Sequence, residues 1–234
     1  MIAPKIQKRL RQFASRDKAR ILQGFFKTGP GEYGEGDIFL GVMVPDIRRV
    51  AKEFQDTPVG QIKEILASRY HEERLLALLM LVREFAKGDE ALKKRIYGLY
   101  LRNTRYINNW DLVDLSAPNI VGTYLLDKSR KPLYAFARSK DLWKRRIAIL
   151  STAAFIRQND FDDTLRISES LLKDDHDLLH KAVGWMLREV GKRSLPREEE
   201  FLRKHYKNMP RTMLRYAIER FPELKRQKYL GGKI

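Results

Sequence analysis

A short run recurs along this chain: a basic residue, then a small one two or three positions later, set inside a helical apolar pattern. Arg74-Leu-Leu-Ala77, Arg145-Arg-Ile-Ala148, Lys181-Ala-Val-Gly184 and Arg215-Tyr-Ala217 carry it, with their small residues 71, 36 and 33 positions apart. The first interval is close to two periods of about 35 residues. Helical arrays repeat at such lengths, from about 34 residues in tetratricopeptides to about 40 to 47 in HEAT repeats. The tetratricopeptide pattern of Trp, Leu-Gly, Tyr and Pro is missing. The spacing therefore predicts an all-α fold, an α-solenoid of HEAT-like helical repeats in which the small residue lets neighbouring helices approach. Its inner helices would line a concave basic groove, and a non-repetitive helical bundle is the alternative.

Apolar residues at helical spacing support this reading throughout the chain. Residues 5–26 read as one amphipathic helix or a pair, followed by helices over 45–54, 58–68, 72–86 and 90–101 and a central segment around Trp110. Further helices are expected over 131–138, 140–158, 161–173, 177–192, 196–208 and 211–220, several opened by Pro or an acidic residue. No run alternates as a strand would. The whole chain, 1–234, reads as a single repeat domain.

Gly29, Gly31 and Gly34 match G-x-G-x-x-G, but a dinucleotide fingerprint needs a strand before it and a helix directly after it. Here a helix precedes the loop, and Glu32, Glu35 and Asp37 would repel a pyrophosphate. The stretch reads as a flexible connection, with a substrate-contacting loop carrying Tyr33 as the functional alternative.

Charge narrows the partner. Lys and Arg number 47 against 30 Asp and Glu, a net charge of +17. That excess points to a polyanion. The basic residues are spread over many helices rather than gathered in one membrane-surface helix, which favours nucleic acid over an anionic membrane. Arg145, Arg146, Lys181, Arg188 and Arg215 form the expected phosphate track, and residues 211–234 add seven basic residues against two acidic ones, either extending it or keeping the chain soluble. The absence of Cys excludes thiolate chemistry and disulfides. With no signal-peptide pattern and no long apolar run, the expectation is a cytoplasmic monomer with no membrane and no obligate protein partner.

Chemistry is sparse. Trp110 and Asp114 are four apart and share one helical face. Asp111, nearer the helix start, suits the positive end of the helix dipole. Trp185 shares a face with Lys181 and Arg188, while Trp143 is taken as structural. His176 and His180, beside Asp174, Asp175 and Asp177, would suit a metal, but no third ligand is fixed and the acids more simply mark a helix start. Neither metal nor cofactor is expected.

Three segments in order, Trp110-Asp-Leu-Val-Asp114, Trp143-Lys-Arg-Arg146-Ile-Ala-Ile-Leu150 and Lys181-Ala-Val-Gly-Trp185-Met-Leu-Arg-Glu189, resemble the AlkD-like DNA alkylation repair glycosylases. Phe39-Leu-Gly-Val42, Pro45 and Arg48 add to the likeness, which runs over residues 25–220. The resemblance implies hydrolysis of the N-glycosidic bond of cationic alkylated purines, such as 3-methyladenine and 7-methylguanine, in duplex DNA and without extrusion of the base. It implies Asp114 as the catalytic carboxylate, Trp110 and Trp185 as aromatic walls beside the lesion deoxyribose, and Arg146 as a phosphate contact. One departure is local: the family's prototypes carry Tyr ahead of Phe-Leu-Gly, whereas here Phe25-Phe26 and a longer glycine loop leave Phe26 or Tyr33 to complete the DNA contacts. The rival expectation is a non-catalytic HEAT-repeat module that binds damaged or branched DNA by shape. A scaffold for an acidic protein is the third.

Overall fold

In the computed structural model, residues 2–234 are described and are all-α. The chain divides into two compact units, residues 1–116 and 117–234, each described here by itself. The first holds α1 (Ala3–Arg11), α2 (Arg16–Phe25), α3 (Val44–Glu53), α4 (Val59–Leu66), α5 (His71–Lys87), α6 (Glu90–Arg102) and α7 (Trp110–Ala117), whose last residue opens the second unit. The second continues through a π-helical turn (Pro118–Gly122) to α8 (Lys131–Ala137), α9 (Leu142–Ser151), α10 (Ala153–Arg157), α11 (Asp162–Ser170), α12 (Asp177–Arg193), α13 (Leu195–His205), α14 (Arg211–Ala217) and α15 (Glu223–Leu230). Among the described residues the only strand-like feature is an isolated bridge between Ile38 and Tyr70.

Helix α5 is the centre of the first unit because apolar residues surround it: Leu75 through Leu81 are all buried. Its first turn is charged and equally buried, which organises the chain before it. Glu72 accepts backbone N–H bonds from Leu40, Gly41 and Val42 at 2.9, 2.8 and 3.2 Å. Glu73 accepts from Ser68 Oγ, Gln7 Nε2 and Arg11 Nε at 2.6 to 2.8 Å. Position 41 requires glycine: its φ is +79°, and a Cβ there would lie 2.0 Å from the Ser15 carbonyl oxygen. The Phe39-Leu-Gly-Val42 segment is thus fixed by Glu72 on one side and by α2 on the other.

The small residue is buried at every recurrence of the repeat, and at Gly184 it permits the close helix approach that was expected. Ala77, Ala148 and Ala217 are fully buried. A Cβ on Gly184 would stand 2.4 Å from the Met213 carbonyl oxygen, so α12 and α14 meet at a distance only glycine permits. The basic residue has a packing role at two positions. Arg74 donates to the carbonyls of Ser68 and Arg69 and pairs with Asp37, while Arg145 donates to those of Ser139 and Lys140 and pairs with Asp174. Each guanidinium therefore closes the connection before its own helix. Ser68 and Ser139 accept from the backbone N–H two residues on, at 3.0 and 3.1 Å, completing the equivalence.

Three expectations are revised or extended. The helix expected over 140–158 breaks between α9 and α10, where Ser151 and Thr152 hydroxyls donate back to the carbonyls of Ile147 and Ile149, each at 2.6 Å, in place of a continuous ladder. Beyond the helix expected over 211–220 the chain folds further: α15 packs through Tyr229, whose ring meets Tyr206 and Phe221 edge-on at 5.4 and 5.7 Å. The glycine stretch is a folded segment rather than a loose connection, with Asp37 buried and the amides of Gly29 and Gly31 donating to Glu32 and Glu35, both at 2.9 Å.

Candidate active site

Helix α7 carries the Trp-Asp pair, and burial of its opposite face decides how it sits. Leu112, Val113, Ser116 and Ala117 are fully buried, while Trp110 and Asp114 are half-exposed one turn apart. Its first residues are fixed from before the helix: the Asn109 carbonyl accepts from Val113 N–H at 3.2 Å, and its side-chain oxygen accepts from Trp110 N–H at 2.9 Å. Behind Asp114, the buried Tyr100 hydroxyl donates to Ser116 Oγ at 2.9 Å. Burial pushes the Tyr100 phenol above its ordinary range; the bond to Ser116 opposes this, and the negative charge of Asp114 adds to it.

The aromatic support of Trp110 comes from the end of α2. Phe26 is 7% exposed and stacks on Trp110 with ring centres 5.1 Å apart at 14°. Phe26, expected to touch DNA, therefore backs Trp110 from inside. The exposed ring is Phe25, 62% exposed and edge-on to Trp110 at 5.9 Å. Tyr33 is half-buried in the glycine segment.

Sequence reasoning missed the charged cluster beneath these rings. The His71 ring is 1% exposed, with Nε2 2.8 Å from Asp111 and Nδ1 3.1 Å from Asp37. Asp37 also accepts from Arg74 at 2.5 Å and from Asn109 Nδ2 at 3.1 Å. Burial alone would lower the imidazole pKa, but the charge and hydrogen bond of Asp111 and the bond to Asp37 outweigh it and the opposing charge of Arg74, raising it to about 9. His71 is thus an imidazolium at neutral pH, donating from both nitrogens. The Asp37 carboxyl is held below its ordinary range: burial opposes this and is outweighed by His71, Arg74 and Asn109. Asp111 lies in the first turn of α7 as expected, and its carboxylate serves His71. The one signal in the sequence was the run His71-Glu72-Glu73-Arg74 directly before an apolar stretch.

In the second unit, Trp185 is half-exposed on α12 and donates from Nε1 to Glu189 at 3.1 Å. Arg146 is 5% exposed and donates to the Leu178 carbonyl at 2.5 Å. Lys181 pairs with Asp177 at 2.7 Å, and Arg188 pairs with Glu219. Arg145 is committed to Asp174 and the two carbonyls described above. Arg215 is exposed and has no ion-pair partner among the described residues. The two histidines have local duties: His176 Nδ1 accepts from Leu178 N–H at the start of α12, and His180 Nε2 bonds the Asp174 carbonyl. Among the described residues no three His, Asp or Glu side chains gather as a metal would need, and no helix is long and apolar enough to cross a membrane.

A basic all-α chain of repeating helix pairs, with an indole and a carboxylate one turn apart on one half-open helical face, defines a helical-repeat protein. The chain belongs to the DNA alkylation repair enzyme family, whose pattern it matches over residues 6–221. A solved structure described as a "Predicted DNA alkylation repair enzyme from Enterococcus faecalis" has the same fold, with a TM-score of 0.71 at 15% identity, covering 90% of this chain and 97% of that one. No curated protein matches. The AlkD-like resemblance and the all-α repeat fold both stand.

Proposed function

We propose that this protein is a monofunctional DNA glycosylase that hydrolyses the N-glycosidic bond of cationic alkylated purines in duplex DNA. The observation that carries the reading is the pairing of Trp110 and Asp114 on the half-open face of α7, beside the exposed ring of Phe25. An N-alkylated purine already bears positive charge, so it departs with the electrons of the glycosidic bond without a general acid. Positive charge then develops on the sugar. The Asp114 carboxylate stabilises it and orients the attacking water, which delivers hydroxide to the sugar carbon as its proton is lost; free base and an abasic site are the products. Indole faces add cation–π stabilisation of about 0.5 to 2 kcal/mol each, and fixed charge aimed at developing charge is the larger part of such catalysis.

In this reading, as the family resemblance implies, Trp185 acts as an indole at the sugar, and Lys181 and the exposed Arg215 meet phosphates, while Arg146, buried against the Leu178 carbonyl, and Arg188, paired with Glu219, have less charge to offer. Arg145, already bound to Asp174, contributes less. The lesion is met from the backbone side with the base left in the stack, and Phe25 takes the place open to a tyrosine in the family's prototypes. The direct test is incubation with N-methylated duplex DNA: wild type should release free methylpurine and leave abasic sites. Salt-sensitive DNA binding without release would instead favour a module that recognises damaged or branched DNA by shape.

A further inference from the structure

We infer that His71, clamped between Asp37 of the glycine segment and Asp111 of α7, is a positioning residue that fixes the indole of Trp110 and the glycine segment, residues 28–37, against it. The inference rests on the glycosylase reading for its kinetic consequence and on geometry for the clamp itself.

Two elements 72 residues apart in sequence are joined here by buried charge, Asn109 Nδ2 on Asp37 at 3.1 Å. His71 closes the same link by a second route, through Asp37 at 3.1 Å and Asp111 at 2.8 Å. Asp111 and Asn109 flank Trp110 in the chain, so both anchors act on its backbone. Its ring is held from the same source: the imidazolium stacks on Phe39 at 4.5 Å and lies 4.9 Å from Phe26, which in turn stacks on Trp110. A cation against aromatic faces in a dry site is held electrostatically as well as by packing. The glycine segment is drawn against this stack. Gly34 donates to the Lys27 carbonyl at 3.0 Å, and a Cβ on it would stand 2.4 Å from the Phe26 carbonyl oxygen.

The charged groups facing His71 are Asp37 from the glycine segment, Asp111 from α7 and Arg74 from its own helix. Loss of the ring proton would leave only one N–H for two carboxylates. One anchor would open, and Trp110 or the glycine segment would lose its tie while DNA-facing cations elsewhere stayed unchanged. Fixing a stabilising group within a fraction of an ångström matters to rate more than to affinity.

The test compares wild type with His71→Gln, which keeps one donor, and His71→Leu, which keeps none. Single-turnover base release should fall at least tenfold in His71→Leu and by an intermediate factor in His71→Gln, with affinity for the duplex within threefold of wild type. Wild-type release should decline as pH passes about 9, a limb both variants lack. Amide exchange over 28–37 and 109–111 should quicken at least tenfold in His71→Leu, with α12 unchanged. If that variant does not fold, Asp37→Asn carries the same readouts. Wild-type exchange and release in a folded variant would overturn the inference. Should wild type release no base at all, the glycosylase reading fails, and exchange over 28–37 alone decides whether the clamp holds.

Discussion

Arg74 and Arg145, 71 residues apart, make the same bonds: each guanidinium donates to the carbonyls five and six positions before it and pairs with an aspartate. The recurrence of a base in this repeat therefore has a structural origin at these two positions, separate from any attraction to phosphate.

That separation can be measured. Arg145→Gln should destabilise the protein by about 1 to 3 kcal/mol, because the Asp174 carboxylate and two carbonyls lose their donor, while leaving the salt dependence of DNA binding as in wild type. Arg215→Gln should change stability by less than about 0.5 kcal/mol and reduce the salt slope by about 0.9, the release of one phosphate's counterions. Denaturant midpoints and binding titrations at four salt concentrations separate the two effects, and a lower salt slope in Arg145→Gln would give that residue a phosphate as well.

Gly184→Ala should cost about 1 to 3 kcal/mol, since the added methyl must displace backbone of α14 rather than the end of a flexible side chain. Thermal unfolding would show it. A neutral result would mean that α12 and α14 separate without loss.

The buried charge cluster gives stability a pH profile. Folding raises the His71 pKa from 6.5 to about 9, so its contribution is complete below pH 6.5 and is lost as pH rises through 9. The size is on the order of 3 kcal/mol. Asp37 acts in the opposite sense: its pKa is lowered from 3.8, so its contribution is present above that pH and lost as pH falls further. Urea midpoints from pH 3 to 10 should therefore fall at both ends, and His71→Gln should lack the alkaline fall.

The repeat was legible because Ala77, Ala148, Gly184 and Ala217 are all buried, and at Gly184 the small size lets α12 meet α14 near Ala217; a recurring local demand of this kind leaves a period in the sequence. Trp110 and Asp114 were legible for the same kind of reason, since four-residue spacing fixes a shared face. Asp37 was not. Its partners His71 and Asn109 lie 34 and 72 residues away, and nothing within a few positions distinguishes it from the solvated Glu32 and Glu35. The order of Phe25 and Phe26 was hidden too: α2 ends at Phe25, and the turn that follows decides which ring goes inward. The break between α9 and α10 depended on whether the Ser151 and Thr152 hydroxyls turned back on their own helix, a choice that periodicity does not record.

The central claim is tested most directly by base release from N-methylated duplex DNA with wild type and Asp114→Asn at matched, saturating enzyme. A carboxylate that stabilises the sugar cation predicts free methylpurine from wild type and at least a hundredfold slower release from Asp114→Asn, with duplex affinity nearly unchanged; this corresponds to about 2.7 kcal/mol or more of transition-state stabilisation. Equal release by the two proteins, or none by wild type, would contradict it.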